Sequence, residues 1–344
     1  MSIQVRACAA SDHRAWDSFV REHPHGSPFH LHAWRAGIQR TFGYRPCYLL
    51  AERAGRVCGV LPLFLVSNPL MGRVLLSSPF AVYGGALCDG EPARLALRDA
   101  VAELGRSEGV QYVELRNGWA EQCLGFERVR RYVTFTQELS GTEETLLEGI
   151  PRKTRAAVRK ALKSDFTART TRDSLPFARL YLANLRRLGT PAFPLRHFSN
   201  LLEEFGEEAD VREMMLDGQL AAAVFTFYFR DQVLPYYGAS EPAFHPRQPN
   251  NFLYWELMRW GLASGFRLFD FGRSKLQESG SFDFKAHWGM TMRELPYEIL
   301  LVRRGELPNF SPNNPKFQLF VKTWRRLPLP VTNALGPFLL KLVP

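Results

Sequence analysis

The stretch FDFGRSKLQESGSFDFKAHWGM, residues 269–290, collects side chains whose types and spacing suit chemistry. Lys285 follows Phe284 and stands three residues before Trp288. An ammonium partly desolvated by aromatics exerts a stronger field, and its pKa can be moved by its surroundings. A fixed cation of that kind could stabilise the tetrahedral oxyanion of an acyl transfer. The same side chain could instead lay its stem on the rings and keep its charge in water. His287 comes two residues later, on the same side as Lys285 if the segment is extended, where it could serve as a general base. Asp270 sits between Phe269 and Phe271, where an unpaired carboxylate is costly. It either orients an amine nucleophile or forms an ion pair with Lys285 or Arg273. The D-F-G triplet has no kinase meaning here, because no H-R-D loop or glycine-rich loop accompanies it.

Further candidates lie upstream. Tyr237 precedes Gly238 at the end of a predicted strand, VLPYYGAS, where ligands usually approach such sheets. Tyr83, before Gly84 and Gly85, holds a comparable place. The run PRKTRAAVRKALKSDF predicts a helix with Arg152, Arg155, Arg159 and Lys163 on one stripe and Val158 and Leu162 opposite. Eight basic residues between 151 and 172 face a single acid, Asp165. That balance suits a docking surface for diphosphates or tRNA phosphates, although such stripes are also what solvated helix faces look like. His30 and His32 form an H-x-H with no third ligand at suitable spacing, so no metal is expected. Cys8, Cys47, Cys58, Cys88 and Cys123 are odd in number and contain no C-x-x-C pair, which favours reduced thiols over a disulfide framework.

The elements that must position these residues repeat. YLLAERAGRVCGVLPLFLV, FAVYGGAL, EPARLALRDAVAELGRSEG and VQYVELRN follow one another in the first half. VREMMLDGQLAAAVFTFYF, VLPYYGAS, NNFLYWELMRWGLASG and FRLFDFGRS follow in the second. Each half runs strand, tight turn at Gly55 or Gly218, apolar strand, Tyr-Gly strand end, helix, glycine and strand. Gly109 aligns with Gly265 and Glu114 with Asp270, both at an offset of 156. A repeat of that length marks a duplicated domain, not a solenoid. Leu95, Leu97, Val101 and Leu104 should face the core from the first helix, and Leu253, Leu257, Trp260 and Leu262 from the second. The expected fold is α/β (α+β), with two tandem domains of mixed, mostly antiparallel sheets covered by helices. The first domain is expected over 1–145 and the second, with the site, over 146–306. A basic amphipathic segment follows over 307–344.

Antiparallel hairpin, strand, helix and strand in this order resemble the GNAT acyltransferase core. Two such units in tandem resemble the FemAB/FemX family, which transfers aminoacyl groups to peptidoglycan precursors. The stretches SPFHLHAWRAGIQRTFGYRPCYLLAE, GVLPLFLVSNPLMGRVLLSSPFAVYGG, FDFGRSKLQESGSFDFKAHWG and TWRRLPLPVTNALGP are most similar to its Gram-negative branch, found with PEP-CTERM/exosortase systems. The resemblance implies an active site at the Phe284-Lys285 pair. It also implies an acyl or aminoacyl donor, either aminoacyl-tRNA or acyl-CoA, as co-substrate with no tightly bound cofactor, and an amine of a cell-envelope precursor as acceptor. LCDGEPARLAL and HPRQPNNFLYW lack the R/Q-x-x-G-x-G/A loop that cradles a CoA pyrophosphate, and Pro246 and Pro249 stiffen the second. The alternatives are an acyl-CoA-dependent N-acyltransferase acting on an amino sugar, and a non-catalytic module that binds membrane or polyanion.

The chain has 344 residues, 44 Lys+Arg against 34 Asp+Glu and a net charge of +10. That length predicts two domains, and that charge favours anionic partners such as envelope precursors, aminoacyl-tRNA or an acidic membrane. No helix-turn-helix is visible, so DNA is not an expected partner. The N-terminus lacks the apolar core of a signal peptide, which predicts a cytoplasmic protein. From 307 to 344 there is no acidic residue, while Lys316, Lys322, Arg325, Arg326 and Lys341 alternate with Phe317, Phe320, Val321, Trp324, Phe338, Leu339 and Leu340. Basic, aromatic amphipathic sequence of this kind predicts peripheral contact with the inner face of an acidic membrane through 316–344.

Overall fold

The computed structural model describes residues 2–276, 280–306 and 315–342, with the side chains of 315–317 set aside. The chain divides into two compact units: residues 1–131, 294–311 and 338–344, and residues 132–293 and 312–337. The first boundary therefore falls at 131/132 and not at 145/146. The reason is backbone pairing, because Tyr132–Glu138 forms an antiparallel ladder with Leu268–Lys275 and so belongs to the second sheet.

The first unit contains β1 (Gln4–Ala7), α1 (His13–Glu22), α2 (His32–Phe42), β2 (Arg45–Pro46), β3 (Leu49–Arg53), β4 (Arg56–Leu61), β5 (Leu63–Asn68), β6 (Gly72–Ser77), β7 (Leu87–Cys88), α3 (Glu91–Ser107), β8 (Tyr112–Leu115) and β9 (Glu127–Val129). The second contains β10 (Tyr132–Glu138), α4 (Glu143–Gly149), α5 (Arg152–Ala161), β11 (Thr167–Thr171), α6 (Leu175–Leu188), α7 (Arg196–Phe205), β12 (Ala209–Leu216), β13 (Gln219–Phe229), β14 (Gln232–Ser240), α8 (Pro249–Ala263), β15 (Leu268–Lys275), α9 (Gly280–Ala286) and β16 (Thr291–Glu294). The strand β17 (Tyr297–Leu301) then pairs with β8 and β9 in the first unit, and α10 (Pro315–Arg326) and α11 (Leu329–Leu340) end the chain.

In the first unit the strand orders are β1-β3-β4-β7 and β2-β5-β6-β8-β17-β9. Leu97 and Val101 of α3 are fully buried with Ala51, Leu61 and Val113, whereas Leu95 is 36% exposed and not on the core face. Glu298 of β17 is buried and accepts N–H bonds from Leu124, Gly125 and Phe126 at 2.8–2.9 Å and from Asn117 Nδ2 at 2.9 Å. A buried carboxylate survives because every lone pair is used in this way.

The second unit has one seven-stranded sheet, ordered β11-β12-β13-β14-β15-β10-β16. The β12–β13 hairpin turns through Asp217 and Gly218, at φ +52° and +73°. Two positive φ values in a row are what a two-residue hairpin turn matched to strand twist requires. Val158, Leu253, Trp255, Leu257 and Met258 from α5 and α8 pack one face with Met214 and Val224. Phe177 of α6 and Phe198 of α7 pack Phe225 on the other. Each fully buried aromatic side chain contributes on the order of 2 kcal/mol or more.

Candidate active site

Parallel β14 and β15 pair at only two registers, Gln232 with Leu268 and Val233 with Phe269, and then part. A parted pair leaves strand edges with backbone groups that no ladder takes up. Along β15 the ladder to β10 also breaks, with a bulge between Thr134 and Thr136 opposite Phe271 and Gly272. Gly272 has φ +64°, in the left-handed region that glycine enters without penalty. That twist swings three successive carbonyls together, and Lys285 Nζ donates to all of them: to Phe271 at 2.6 Å, and to Gly272 and Arg273 at 3.0 Å each. An ammonium has three protons, so Lys285 has spent all of them on the β15 edge. Burial lowers its pKa to about 8, with the charge of Asp270 opposing the shift and that of Arg273 adding to it.

Asp270 is buried and accepts from Thr134 Oγ1 at 3.1 Å and from the Gly272 N–H at 2.7 Å. Its carboxylate thus holds the bulge that presents the carbonyls to Lys285. Arg273 places its guanidinium 4.6 Å from the centre of the Tyr132 ring. Residues 280–286 are helical, not extended, so His287 does not share a side with Lys285. Its ring is exposed, and its carbonyl accepts from Thr154 Oγ1 at 2.5 Å. The general-base expectation for His287 loses its geometric basis.

Tyr237 is 5% exposed, inside a cluster with Tyr181, Phe193, Phe198 and Phe225, and its hydroxyl meets His197 Nε2 at 3.2 Å. Burial pushes His197 down to about 3 and Tyr237 well above its usual range, so both are neutral core groups. Tyr237 does not present an accessible contact for substrate. A half-buried tyrosine stands nearby on α8. Tyr254 packs its ring against Phe271, Phe284 and Trp288, and an added Cβ on Gly238 would lie 2.6 Å from its hydroxyl. The hydroxyl therefore reaches the bare backbone of β14 from across the parting strands. Among the described residues it makes no hydrogen bond, and burial raises its pKa to about 12, so it stays protonated at neutral pH. It was illegible in sequence because NNFLYWELM looks like any apolar helix.

The basic stripe of α5 begins beside this site, since Thr154 holds the loop after α9. Arg152 and Arg159 are exposed and Arg155 is half-buried, giving one N–H to Glu148 O at 2.8 Å. With Lys160 and Lys163 they surround a surface depression. Val158 is buried as expected, but Leu162 is 46% exposed and faces solvent.

In the first unit, at the offset of 156, Arg116 stands where the second has Gly272. Arg116 pairs with Glu114 at 2.9 Å and donates to Ser78 O and Ala81 O at 3.3 and 3.4 Å. Its buried side chain pins a backbone break in which Ser78 and Phe80 have φ +45° and +63°. Tyr83 lies in this packed segment, off any strand end. His32 opens α2, while His30 bonds Ser27 and Gly85 O. His32 is also held by Asp17 at 3.1 Å and lies 3.8 Å from Cys8 Sγ. Burial pushes that thiol up to about 11, so it is not a ready nucleophile. Among the described residues no cluster of three or more His, Cys, Asp or Glu could hold a metal ion.

Residues 151–286 match the family model described as an acetyltransferase (GNAT) domain. The fold is that of a GNAT-type acyltransferase. The crystal structure of FemX aligns with a TM-score of 0.70 at 18% identity, covering 92% of this chain and 100% of FemX. A tandem GNAT protein from the clavulanic acid biosynthesis pathway aligns at 0.52 and 14%, over 87% and 98%. The C-terminal domain of a putative lysylphosphatidylglycerol synthetase from Agrobacterium fabrum aligns at 0.53 and 12%, over 86% and 92%. A sequence comparison with curated proteins gives no match.

Proposed function

We propose that this protein transfers an acyl or aminoacyl group to an amine of a cell-envelope precursor, of the peptidoglycan or exopolysaccharide kind. The observation that carries this reading is the parting of β14 and β15 over the free Tyr254 hydroxyl and the Lys285 ammonium. The acyl group of the donor lies between the strands. The acceptor amine attacks the carbonyl carbon, a C–N bond forms, and the carbonyl electrons move to oxygen. Lys285 keeps positive charge at this edge and holds the β15 carbonyls clear of the reacting centre. On collapse the ester or thioester bond breaks, Tyr254 protonates the leaving oxygen or sulfur, and the proton shed by the amine passes through water to the Tyr254 phenolate, which restores the acid.

The donor favoured is an aminoacyl-tRNA, whose phosphates follow the α5 stripe of Arg152, Arg155 and Arg159 to the site. The α8 N-terminus suits CoA less well. Pro249 has no N–H and the Gln248 N–H is already bonded to His245 O, which removes two of the four N-terminal donors a pyrophosphate could use. The Phe284-Lys285 pair supports the FemX-like assignment, with the PEP-CTERM-associated branch as the finer form of the proposal. No helix among the described residues is long and apolar enough to cross a membrane, and a cytoplasmic protein working on nucleotide-linked or lipid-linked precursors is the setting that fits.

The test supplies aminoacyl-tRNA or acetyl-CoA with a nucleotide-activated muropeptide or an amino sugar, and follows acceptor mass. A mass gain equal to the aminoacyl residue on the muropeptide supports the proposal. Micromolar CoA-thioester binding with acetylation of the amino sugar replaces it by the CoA-dependent alternative. Transfer by the wild type that Tyr254→Phe lowers about 100-fold and Lys285→Ala abolishes assigns the chemistry to this site.

A further inference from the structure

The terminal helices differ from what their composition suggests. Of the described aromatics of α10, Trp324 is buried and donates Nε1–H to Thr190 O at 3.1 Å, and Phe320 stacks on it. Lys316 and Phe317 fall outside the described side chains. On α11 the inner stripe is Thr332, Gly336 and Leu340, four residues apart and buried. An added Cβ on Gly336 would lie 2.5 Å from the Ala192 N, so this stripe packs on backbone. The opposite face is Pro330, Val331, Ala334, Leu335 and Phe338, exposed and without a charge. Val331, Leu335 and Phe338 are 38%, 47% and 72% exposed.

An apolar helix face in water has a cost that some partner removes. The rim identifies which. Lys322, Arg325 and Arg326 of α10 are exposed directly before α11, and residues 307–344 contain no acid. Two copies of this face brought together would set like charges against each other, whereas anionic headgroups would neutralise them. We infer that the outer face of α11 inserts into the interfacial layer of an anionic phospholipid bilayer, with Lys322, Arg325 and Arg326 on the headgroups. The contact is peripheral, because α11 is one short helix lying on the protein. This surface is separate from the acyl-transfer site, so its test does not depend on that reading.

The full chain is sedimented with vesicles of phosphatidylcholine alone or mixed equally with phosphatidylglycerol, at low and high salt. Binding to the anionic vesicles is expected, weakened by salt. Leu335→Glu with Phe338→Glu should lower it at least about ten-fold without changing the melting temperature, since both side chains face solvent. Arg325→Glu with Arg326→Glu should abolish the preference for anionic lipid. Absence of wild-type binding overturns the inference. So does equal binding by the Leu335/Phe338 variant, or loss of binding only when Arg152, Arg155 and Arg159 are reversed. A wild-type dimer that the Leu335/Phe338 variant dissociates, with no vesicle binding, overturns it in favour of self-association.

Discussion

Replacing Lys285 by methionine keeps most of the side-chain volume and removes the ammonium that gathers the carbonyls of Phe271, Gly272 and Arg273. The native lysine gives up its proton near pH 8, against 10.5 for an ordinary lysine. Between those values the unfolded chain binds more protons than the native one, so stability rises with pH across that window. The full swing is about 3 kcal/mol, at 1.36 kcal/mol for each pH unit of difference. About 2 kcal/mol of it should be regained between pH 7 and 9.5. At neutral pH the sign of the substitution is a contest, since it loses three charge-assisted hydrogen bonds but also a desolvated charge. The pH dependence carries no such ambiguity. Urea unfolding followed by tryptophan fluorescence, with Trp255, Trp260 and Trp288 as reporters, is measured for wild type and Lys285→Met from pH 7 to 9.5. The stability difference should shift in favour of the wild type by about 2 kcal/mol, other titrations cancelling between the two proteins. A difference that stays flat with pH would refute a desolvated lysine at this strand edge.

Tyr254→Phe should cut turnover by about 100-fold while leaving the melting temperature unchanged, because among the described residues the hydroxyl makes no hydrogen bond to lose. Unaltered turnover would remove Tyr254 from the mechanism. Gly238→Ala puts a Cβ 2.6 Å from that hydroxyl and should cost about 1–3 kcal/mol in unfolding experiments. Most of that cost should vanish in the Tyr254→Phe background, a coupling that a double-mutant cycle reads directly. Glu298→Gln keeps one acceptor oxygen and sets its amide NH2 either against the Leu124 N–H and Asn117 Nδ2 or against the Gly125 and Phe126 N–H groups, and should destabilise the first unit by about 3 kcal/mol, seen in its calorimetric transition. Arg152→Glu with Arg159→Glu should raise KM for a polyanionic donor with little change in kcat, and the effect should shrink with added salt.

The hairpin turns, the helices α3 and α8 and the strands β8 and β15 were legible in order and type, because period, turn residues and apolar faces are local properties, whereas residues 80–86, read as the Tyr-Gly strand of the first repeat, form no strand. Lys285 was legible too, through its place between Phe284 and Trp288. What it does was not. A ring of three carbonyls exists only because the β10–β15 ladder breaks at Gly272, and a ladder is a pairing between segments more than a hundred residues apart. His287 was misplaced because GSFDFKA forms a helix once Phe282 and Phe284 pack on the second core, where sequence alone suggested a strand. Tyr237 and Tyr254 show the same limit in opposite directions. The conspicuous Tyr-Gly pair points its tyrosine into a closed aromatic cluster, while the unremarked helix tyrosine uses the space left by the glycine. The terminal helices complete the division: composition set their basic, apolar character, but only packing decided that Trp324 turns inward and Phe338 outward. Residue type and spacing determine which elements form and which chemistry is on hand. Which side chain meets which atom depends on contacts between distant segments, and those are made by the folded core.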